Sequence, residues 1–293
     1  MNRLHPEFRT LAAARKIVAR GAAGGTLDDD RARAERWISR FGTGAQAAPT
    51  ALKGTHATTI YPAEQAGSKP VDARVFYIHG GGLVYYSSAT FTPLLQVWAN
   101  QLGSAIEAFD YLKAPEHEVG ASITGLVADI AAQIALDPGR PIILAGDSVG
   151  ALLALYVATR ALPGKFSKLC LIYPVLDLHT EHPSYRLYGE DYFLDAQAMR
   201  RFRGFLEPYF DACKFDPFSP TLADMAALPP CQVYSAGCDV LADEARVWAE
   251  RLKKQGKQVM HEEFADLPHD FCLYFGKLPS AERAVDHILS NLK

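Results

Sequence analysis

The chain lacks any concentration of basic residues interleaved with aromatics. Its 30 Lys and Arg are outnumbered by 33 Asp and Glu, a formal net charge of -3. The electrostatic footprint of phosphate binding is therefore missing, and nucleic acid is not expected as a partner. Long hydrophobic runs are missing too. The longest, residues 149–158, is about half of the roughly 20 residues that span a bilayer, so no membrane partner is expected. Cysteine is sparse and unpatterned: Cys170, Cys213, Cys231, Cys238 and Cys272 form an odd set without a CxxC pair, which weakens metal and redox readings. Cys170, Cys231 and Cys238 adjoin apolar, strand-like runs and read as buried free thiols. Reduced thiols suit a cytoplasmic protein. No internal repeat or low-complexity tract is present. Arg3, Arg9, Arg15, Lys16 and Arg20 face only Glu7 near the N-terminus. Without an uninterrupted apolar core and cleavage site, this segment reads as an amphipathic helix ending at Gly21 rather than a secretory signal.

What the sequence does have is apolar content, 49% of 293 residues, ample for one large core. Residues 1–48 read as two polar helices. The second, about 27–41, opens with Asp28, Asp29 and Asp30, which suit the positive end of a helix dipole, and Gly42 and Gly44 stop it. The spacing Gly42-x-Gly44-x-x-Ala47 superficially matches a dinucleotide fingerprint, but it follows a helix and runs into Pro49, so no dinucleotide is expected. From Gly54 onward the pattern predicts strands at 56–61, 71–78, 104–111, 141–145, 168–176, 231–236 and 258–264. Helices are predicted at about 92–102, 123–136, 149–162, 242–255 and 281–292. This alternation implies an α/β fold, a mostly parallel sheet with helices on both faces. Residues 179–228 break the rhythm: no strand is predicted, and ten aromatics crowd between Tyr185 and Phe218. Such an insertion is usually a lid or binding element.

Gly146-Asp147-Ser148-Val149-Gly150 lies between the strand at 141–145 and an apolar helix. A serine hydroxyl is a poor nucleophile and must be presented beside a base. A sharp strand-to-helix turn with flanking glycines does that, and the helix N-terminus aims free N–H groups at any anion formed there. His79-Gly80-Gly81-Gly82 directly follows the strand at 71–78. Three glycines can turn their amides toward one point, as an oxyanion hole requires. The base and its orienting acid should follow the serine in the order acid, then histidine. His269, in a loop after the last strand, is the best-placed histidine. His117, His179 and His182 precede any acid in that order, and His79 reads as a buttress of its own loop. Asp239, just after the strand at 231–236, is the expected acid. Its rivals Asp243 and Glu244 fall in a first helical turn, where acidic residues are favoured as dipole partners.

Taken together these residues resemble the bacterial hormone-sensitive-lipase-like carboxylesterases of the α/β-hydrolase fold. The similarity runs from about Val71 to the C-terminus. It rests on His79-Gly80-Gly81-Gly82, Asp110-Tyr111 with Ala114-Pro115-Glu116-His117, Gly146-Asp147-Ser148-x-Gly150, Asp239-x-Leu241-x-Asp243-Glu244 and His269-x-Phe271. The resemblance implies a triad of Ser148, Asp239 and His269 and an oxyanion hole from the amides of Gly81, Gly82 and Val149. It further implies a helical cap, made of residues 1–48 and the insertion at 179–228, over a catalytic domain of residues 49–293. No metal or organic cofactor is expected. Three positions depart from the family pattern: Ala151 where glycine is usual, Leu112-Lys113 where Arg-Leu is usual, and Tyr85-Tyr86 where a small residue is common. The first should crowd helix against strand only slightly, and the second removes an expected ion pair. The third should place at least one ring at the cleft and shorten the acyl pocket. The expected activity is hydrolysis of short-chain acyl esters through an acyl-enzyme. The alternatives are an amidase or deacylase tailoring a specialised metabolite, or a non-catalytic ligand receptor on the same fold. The expected partner is a small acyl ester or amide, and the pattern leaves room for a homodimer.

Overall fold

A computed structural model describes residues 3–20, 25–43, 57–63 and 67–293. Helices α1 (Pro6–Arg20) and α2 (Leu27–Phe41) come first. α2 starts where its sequence says it should: Thr26 Oγ1 accepts from the Asp29 amide at 3.2 Å while the Asp29 carboxylate accepts from the Thr26 amide at 2.8 Å, a capping box. The sheet then begins with β1 (Ala57–Ile60) and β2 (Arg74–Ile78), followed by α3 (Ser88–Leu102), β3 (Ile106–Phe109), α4 (Val119–Leu136) and β4 (Ile142–Asp147). α5 (Val149–Tyr156) continues into a π-helical turn, Val157–Ala161, and β5 (Lys168–Ile172) follows. The insertion carries α6 (Pro183–Tyr188), α7 (Ala196–Ala212) and α8 (Leu222–Ala227). The chain closes with β6 (Cys231–Cys238), α9 (Ala242–Lys254), β7 (Val259–Pro268), a 3-10 turn at Phe271–Tyr274 and α10 (Pro279–Ser290).

The strands form one seven-stranded sheet in the order β1-β3-β2-β4-β5-β6-β7. Only β1 is antiparallel, to β3; the remaining pairs are parallel. Every residue of β2 and β4 is buried, as parallel strands covered on both faces must be. That is why they read as continuous apolar runs rather than alternating ones. The site loops all leave the C-terminal ends of parallel strands, after β2, β4, β6 and β7, where open α/β sheets place their ligands.

The fold class matches the sequence expectation, with shifts at element ends. The strand predicted at 168–176 stops at Ile172, because Tyr173 takes φ +34, which no strand continues through. β4 and β7 run on to Asp147 and Pro268. The helix predicted from 92 begins at Ser88, whose amide finds Asp110 Oδ1 at 2.7 Å and so is not orphaned at the helix start. The motif positions Gly44 and Ala47, the helix stop at Gly21 and the His56 strand start lie outside the described residues.

α4 was not singled out by run length, yet its 18 residues have a mean hydropathy of 1.6, long and apolar enough to cross a membrane. Ser122, Thr124, Asp129 and Gln133 interrupt its runs, and Ala and Gly supply much of its apolarity. It lies against β3 and α7 with Ile123, Leu126 and Ile130 buried. All five cysteines are free, four of them buried. Burial pushes the Cys170 thiol up to about 12, as an inert core thiol should be.

Candidate active site

The turn between β4 and α5 holds Ser148 at φ +54, ψ −122, a conformation costly for a residue with a Cβ. The surroundings over-determine it. Its amide donates to Ile172 O of β5 at 2.9 Å, and its carbonyl accepts from Ala151 at 3.1 Å. Gly150 makes this tightness achievable: a Cβ there would lie 2.2 Å from Ile78 O and 2.5 Å from His79 O. The serine turn therefore packs directly on the end of β2 and the start of the glycine loop.

Three side chains predicted from separate loops come together here. His269 Nε2 is 2.9 Å from Ser148 Oγ, and His269 Nδ1 is 2.6 Å from Asp239 Oδ2. Asp239 Oδ1 also accepts from the Leu241 amide at 3.1 Å. All three residues are buried. Tyr173 lies against the His269 ring, centroids 4.7 Å apart. Burial alone would lower the His269 pKa. The carboxylates of Asp239 and Asp270 and the hydrogen bond to Asp239 outweigh it and raise the imidazole to about 9. Asp270 is a neighbour that the sequence reading passed over. It sits at φ +61, with Oδ1 3.7 Å from His269 Nε2.

The rival acids are engaged elsewhere. Asp243 accepts from the Ser184 amide at 2.8 Å and pairs with Arg246 at 2.7 Å. Glu244, fully buried, accepts from the Leu176 and Asp177 amides. Among the histidines set aside, His179 lies with Glu207 and Asp211 in a cluster within metal-binding reach. Both its ring nitrogens already face carboxylates, at 3.1 and 3.5 Å, and all three side chains are substantially exposed.

The glycine loop is held from behind. Asp147 Oδ1 accepts from both the Gly80 amide and the Tyr77 hydroxyl at 2.8 Å. Burial raises that carboxyl to about 7 against those two donors. His79 Nδ1 reaches Gly80 O at 2.6 Å, and the Tyr111 ring stacks on His79 at 4.3 Å. His79 thus buttresses its own loop. Gly81 takes φ +111, and a Cβ there would meet Tyr85 O at 2.3 Å, so the loop can run past Ser148 only with glycine at this position. On its outer side Arg31 of α2 donates to Val84 O and Ala114 O and grips Glu116 through two bonds of 2.7 and 2.8 Å. Arg31 is an ion-pairing residue that the sequence reading missed, beside the Leu112-Lys113 departure.

A cavity of about 480 Å³ opens over Ser148 and His269. Gly81, Gly82, Tyr85 and Tyr86 line it, as do Phe193 and Phe202 of the insertion. Most other insertion aromatics pack away from it: Tyr209, Phe210 and Phe215 gather round Tyr156 of α5, with centroids 5.1 to 6.3 Å away. α1 and α2, which the resemblance implied as part of the cap, supply Arg15, Asp30, Arg33 and Trp37 to the wall, residues that the sequence did not single out for the site. Trp37 Nε1 donates to Tyr274 OH at 2.8 Å, across 237 residues of sequence. Nothing local in the sequence signals such a contact.

A family model described as alpha/beta hydrolase fold matches residues 75–273. Ethyl acetate hydrolase of Pseudomonas putida is 31% identical over 227 residues, 72% of this chain and 70% of that one. Lipase 2 of Moraxella sp. is 27% identical over 238 residues, 68% of this chain but only 54% of that protein. Among solved structures, a hyperthermophilic esterase from the archaeon Pyrobaculum calidifontis superposes with a TM-score of 0.77 at 24% identity, covering 99% of this chain and 98% of its own. That likeness speaks to the fold. The matched segment spans every loop that carries a site residue, from the end of β2 to the turn after β7, and the chain belongs to the α/β-hydrolase fold family, among its hormone-sensitive-lipase-like carboxylesterases.

Proposed function

We propose that the protein hydrolyses short-chain carboxylic esters through an acyl-enzyme on Ser148. The observation that carries this reading is the hydrogen-bonded line from Ser148 Oγ through His269 to Asp239, buried beneath the cavity. In the proposed cycle His269 takes the proton of Ser148 as the oxygen attacks the carbonyl carbon. Asp239 holds the imidazole tautomer and stabilises the imidazolium. The N–H groups of Gly81, Gly82 and Val149 donate hydrogen bonds to the tetrahedral oxyanion. His269 then protonates the departing alkoxide, and afterwards deprotonates the water that releases the acid. In this reading α1, α2 and the 179–228 insertion act as the cap that excludes water from the cavity.

The short-chain preference rests on Tyr85 and Tyr86, with the Phe202 ring packed edge-to-face on Tyr85 at 6.1 Å. The name of the Pseudomonas putida relative, ethyl acetate hydrolase, supports it. Each methylene that finds a place contributes about 0.8 kcal/mol, so a roomy acyl pocket would favour long chains instead. The test is kcat/KM for p-nitrophenyl esters with acyl chains of two to twelve carbons. Wild type should peak between acetyl and butyryl and fall steeply beyond about six carbons, roughly where burial of a further methylene stops contributing. Ser148→Ala should be inactive, and Tyr85→Ala or Tyr86→Ala should move the optimum upward. A wild-type optimum at eight carbons or longer, or no upward movement in either tyrosine variant, refutes the narrowed pocket. Undiminished hydrolysis by Ser148→Ala refutes the nucleophile.

A further inference from the structure

Arg15 of α1 sits in the cavity wall, half-buried, and pairs with no carboxylate among the described residues. One of its N–H groups donates to Phe193 O at 2.5 Å, and its guanidinium lies over the Phe193 ring, 5.5 Å from the centroid. Arginine has five donors and keeps its charge at any working pH, so most of its hydrogen-bonding capacity is unspent. The other charges lining the cavity are engaged. Arg33 pairs with Asp30 at 2.8 Å, Asp195 caps α7 through the Ala198 amide at 2.7 Å, and Asp270 lies against His269. A further donor lies close to Arg15: the Tyr274 ring packs edge-to-face on the same Phe193, centroids 5.4 Å apart. Tyr274 OH accepts from Trp37 Nε1, which leaves its own proton to give. Burial raises this phenol, the positive charge of Arg15 opposes the rise and the Asp270 carboxylate adds to it. A cation and a hydroxyl donor in an aromatic, half-enclosed cavity are a receptor for an anion, and a planar carboxylate fits the guanidinium fork.

We propose that the substrate's alcohol part carries a carboxylate, held by Arg15 with Tyr274. The inference rests on the short-chain ester-hydrolase reading above: a small acyl group leaves most of the 480 Å³ cavity to the alcohol side. The natural substrate class is then the short-chain acyl ester of a hydroxy acid, and the products are a small fatty acid and the free hydroxy acid.

The test compares 4-acetoxyphenylacetate with its methyl ester by the initial rate of acetate release; both lose a para-substituted phenolate from the same acetyl group and differ at the remote carboxyl by one charge and one methyl. Wild type should favour the acid in kcat/KM by about tenfold, equivalent to about 1.4 kcal/mol, chiefly through KM. Arg15→Gln should bring the ratio close to one, Arg15→Lys should keep part of it, and Tyr274→Phe should reduce it. If Arg15 only latches α1 to Phe193, its loss lowers both substrates alike and leaves the ratio unchanged, which overturns the proposal. A wild-type ratio at or below one also overturns it. Should Arg15→Gln not fold, product inhibition of wild type decides. 4-Hydroxyphenylacetate should inhibit more strongly than its methyl ester and lose that advantage in high salt, and equal or weaker inhibition overturns the assignment. Failure of the underlying reading looks different: neither ester is then hydrolysed, or Ser148→Ala hydrolyses both.

Discussion

Asp270→Asn removes one negative charge beside the imidazole without disturbing the backbone, since asparagine tolerates the left-handed conformation that residue 270 adopts at φ +61. The carboxylate oxygen is 3.7 Å from His269 Nε2, and the Asp270 side chain is 20% exposed. At about 4 Å, two unit charges interact by roughly 1 kcal/mol in bulk water and roughly 4 kcal/mol in a typical protein environment. Taking the aqueous figure as the floor, the imidazolium loses at least about 1 kcal/mol, or about 0.7 pH unit at 1.36 kcal/mol per unit. The carboxylates of Asp239 and Asp147 also face His269 and remain. In the proposed cycle, the free-base imidazole that activates Ser148 therefore forms at lower pH, and the acid limb of kcat/KM moves down by at least about 0.7 unit. The same change has a sign in stability. A histidine raised from 6.5 to about 9 by folding contributes stability that is complete below its unfolded value and is lost as pH rises through 9. Asp270→Asn should therefore be less stable than wild type near neutral pH, with the gap closing above pH 9. The assay is a kcat/KM profile on p-nitrophenyl acetate, read from the position of the limb rather than its height, because Asp270 also lines the cavity. A limb that stays in place or moves up refutes the electrostatic reasoning.

Other substitutions separate catalytic from structural roles. Asp239→Asn should lower kcat by about 10⁴ through the wrong imidazole tautomer, whereas Asp243→Asn should cost about 1 kcal/mol in chemical denaturation and leave kcat near wild type; a severe loss of kcat in Asp243→Asn would move the acid. Gly150→Ala forces a methyl against Ile78 O and His79 O and should destabilise the fold by about 3 kcal/mol, because backbone cannot step aside as a side chain can; an unchanged denaturation midpoint contradicts the packing of the serine turn on β2. Burial raises the Glu244 carboxyl to about 8 from an ordinary 4.5, although two amides donate to it. The folded state therefore keeps a proton that the unfolded chain has lost, so stability declines as pH climbs from 4.5 through 8. Glu244→Gln should show a smaller loss of Tm between pH 6 and pH 9 than wild type, and an equal loss argues that another group titrates.

The residues legible in the sequence are those whose roles are written in local chemistry. A serine between glycines, ending an apolar strand and opening an apolar helix, can be read because the strained turn needs those neighbours within two positions. His269 and Asp239 follow from chain order and strand ends, and the sheet follows from apolar runs that only parallel strands buried on both faces produce. The cavity wall that α1 and α2 supply, and the ion pair behind the glycine loop, could not be read that way. Arg15, Arg31 and Trp37 look like ordinary residues of polar helices, and their partners Phe193, Glu116 and Tyr274 lie 178, 85 and 237 positions away. The insertion was legible as an aromatic segment but not residue by residue. Phe193 and Phe202 face the cavity while Tyr209, Phe210 and Phe215 pack round Tyr156, a division set by how α7 lies on the core.

That Ser148 is the nucleophile of a serine hydrolase is the central proposal. Treating the protein with a fluorophosphonate and measuring intact mass and peptide map tests it most directly. The reagent phosphonylates a serine only when a neighbouring base activates it. One adduct per chain is expected, on the peptide containing Ser148, with parallel loss of ester hydrolysis, and no adduct on Ser148→Ala. An adduct that persists in Ser148→Ala, or a wild-type protein that neither labels nor cleaves simple esters, would contradict it.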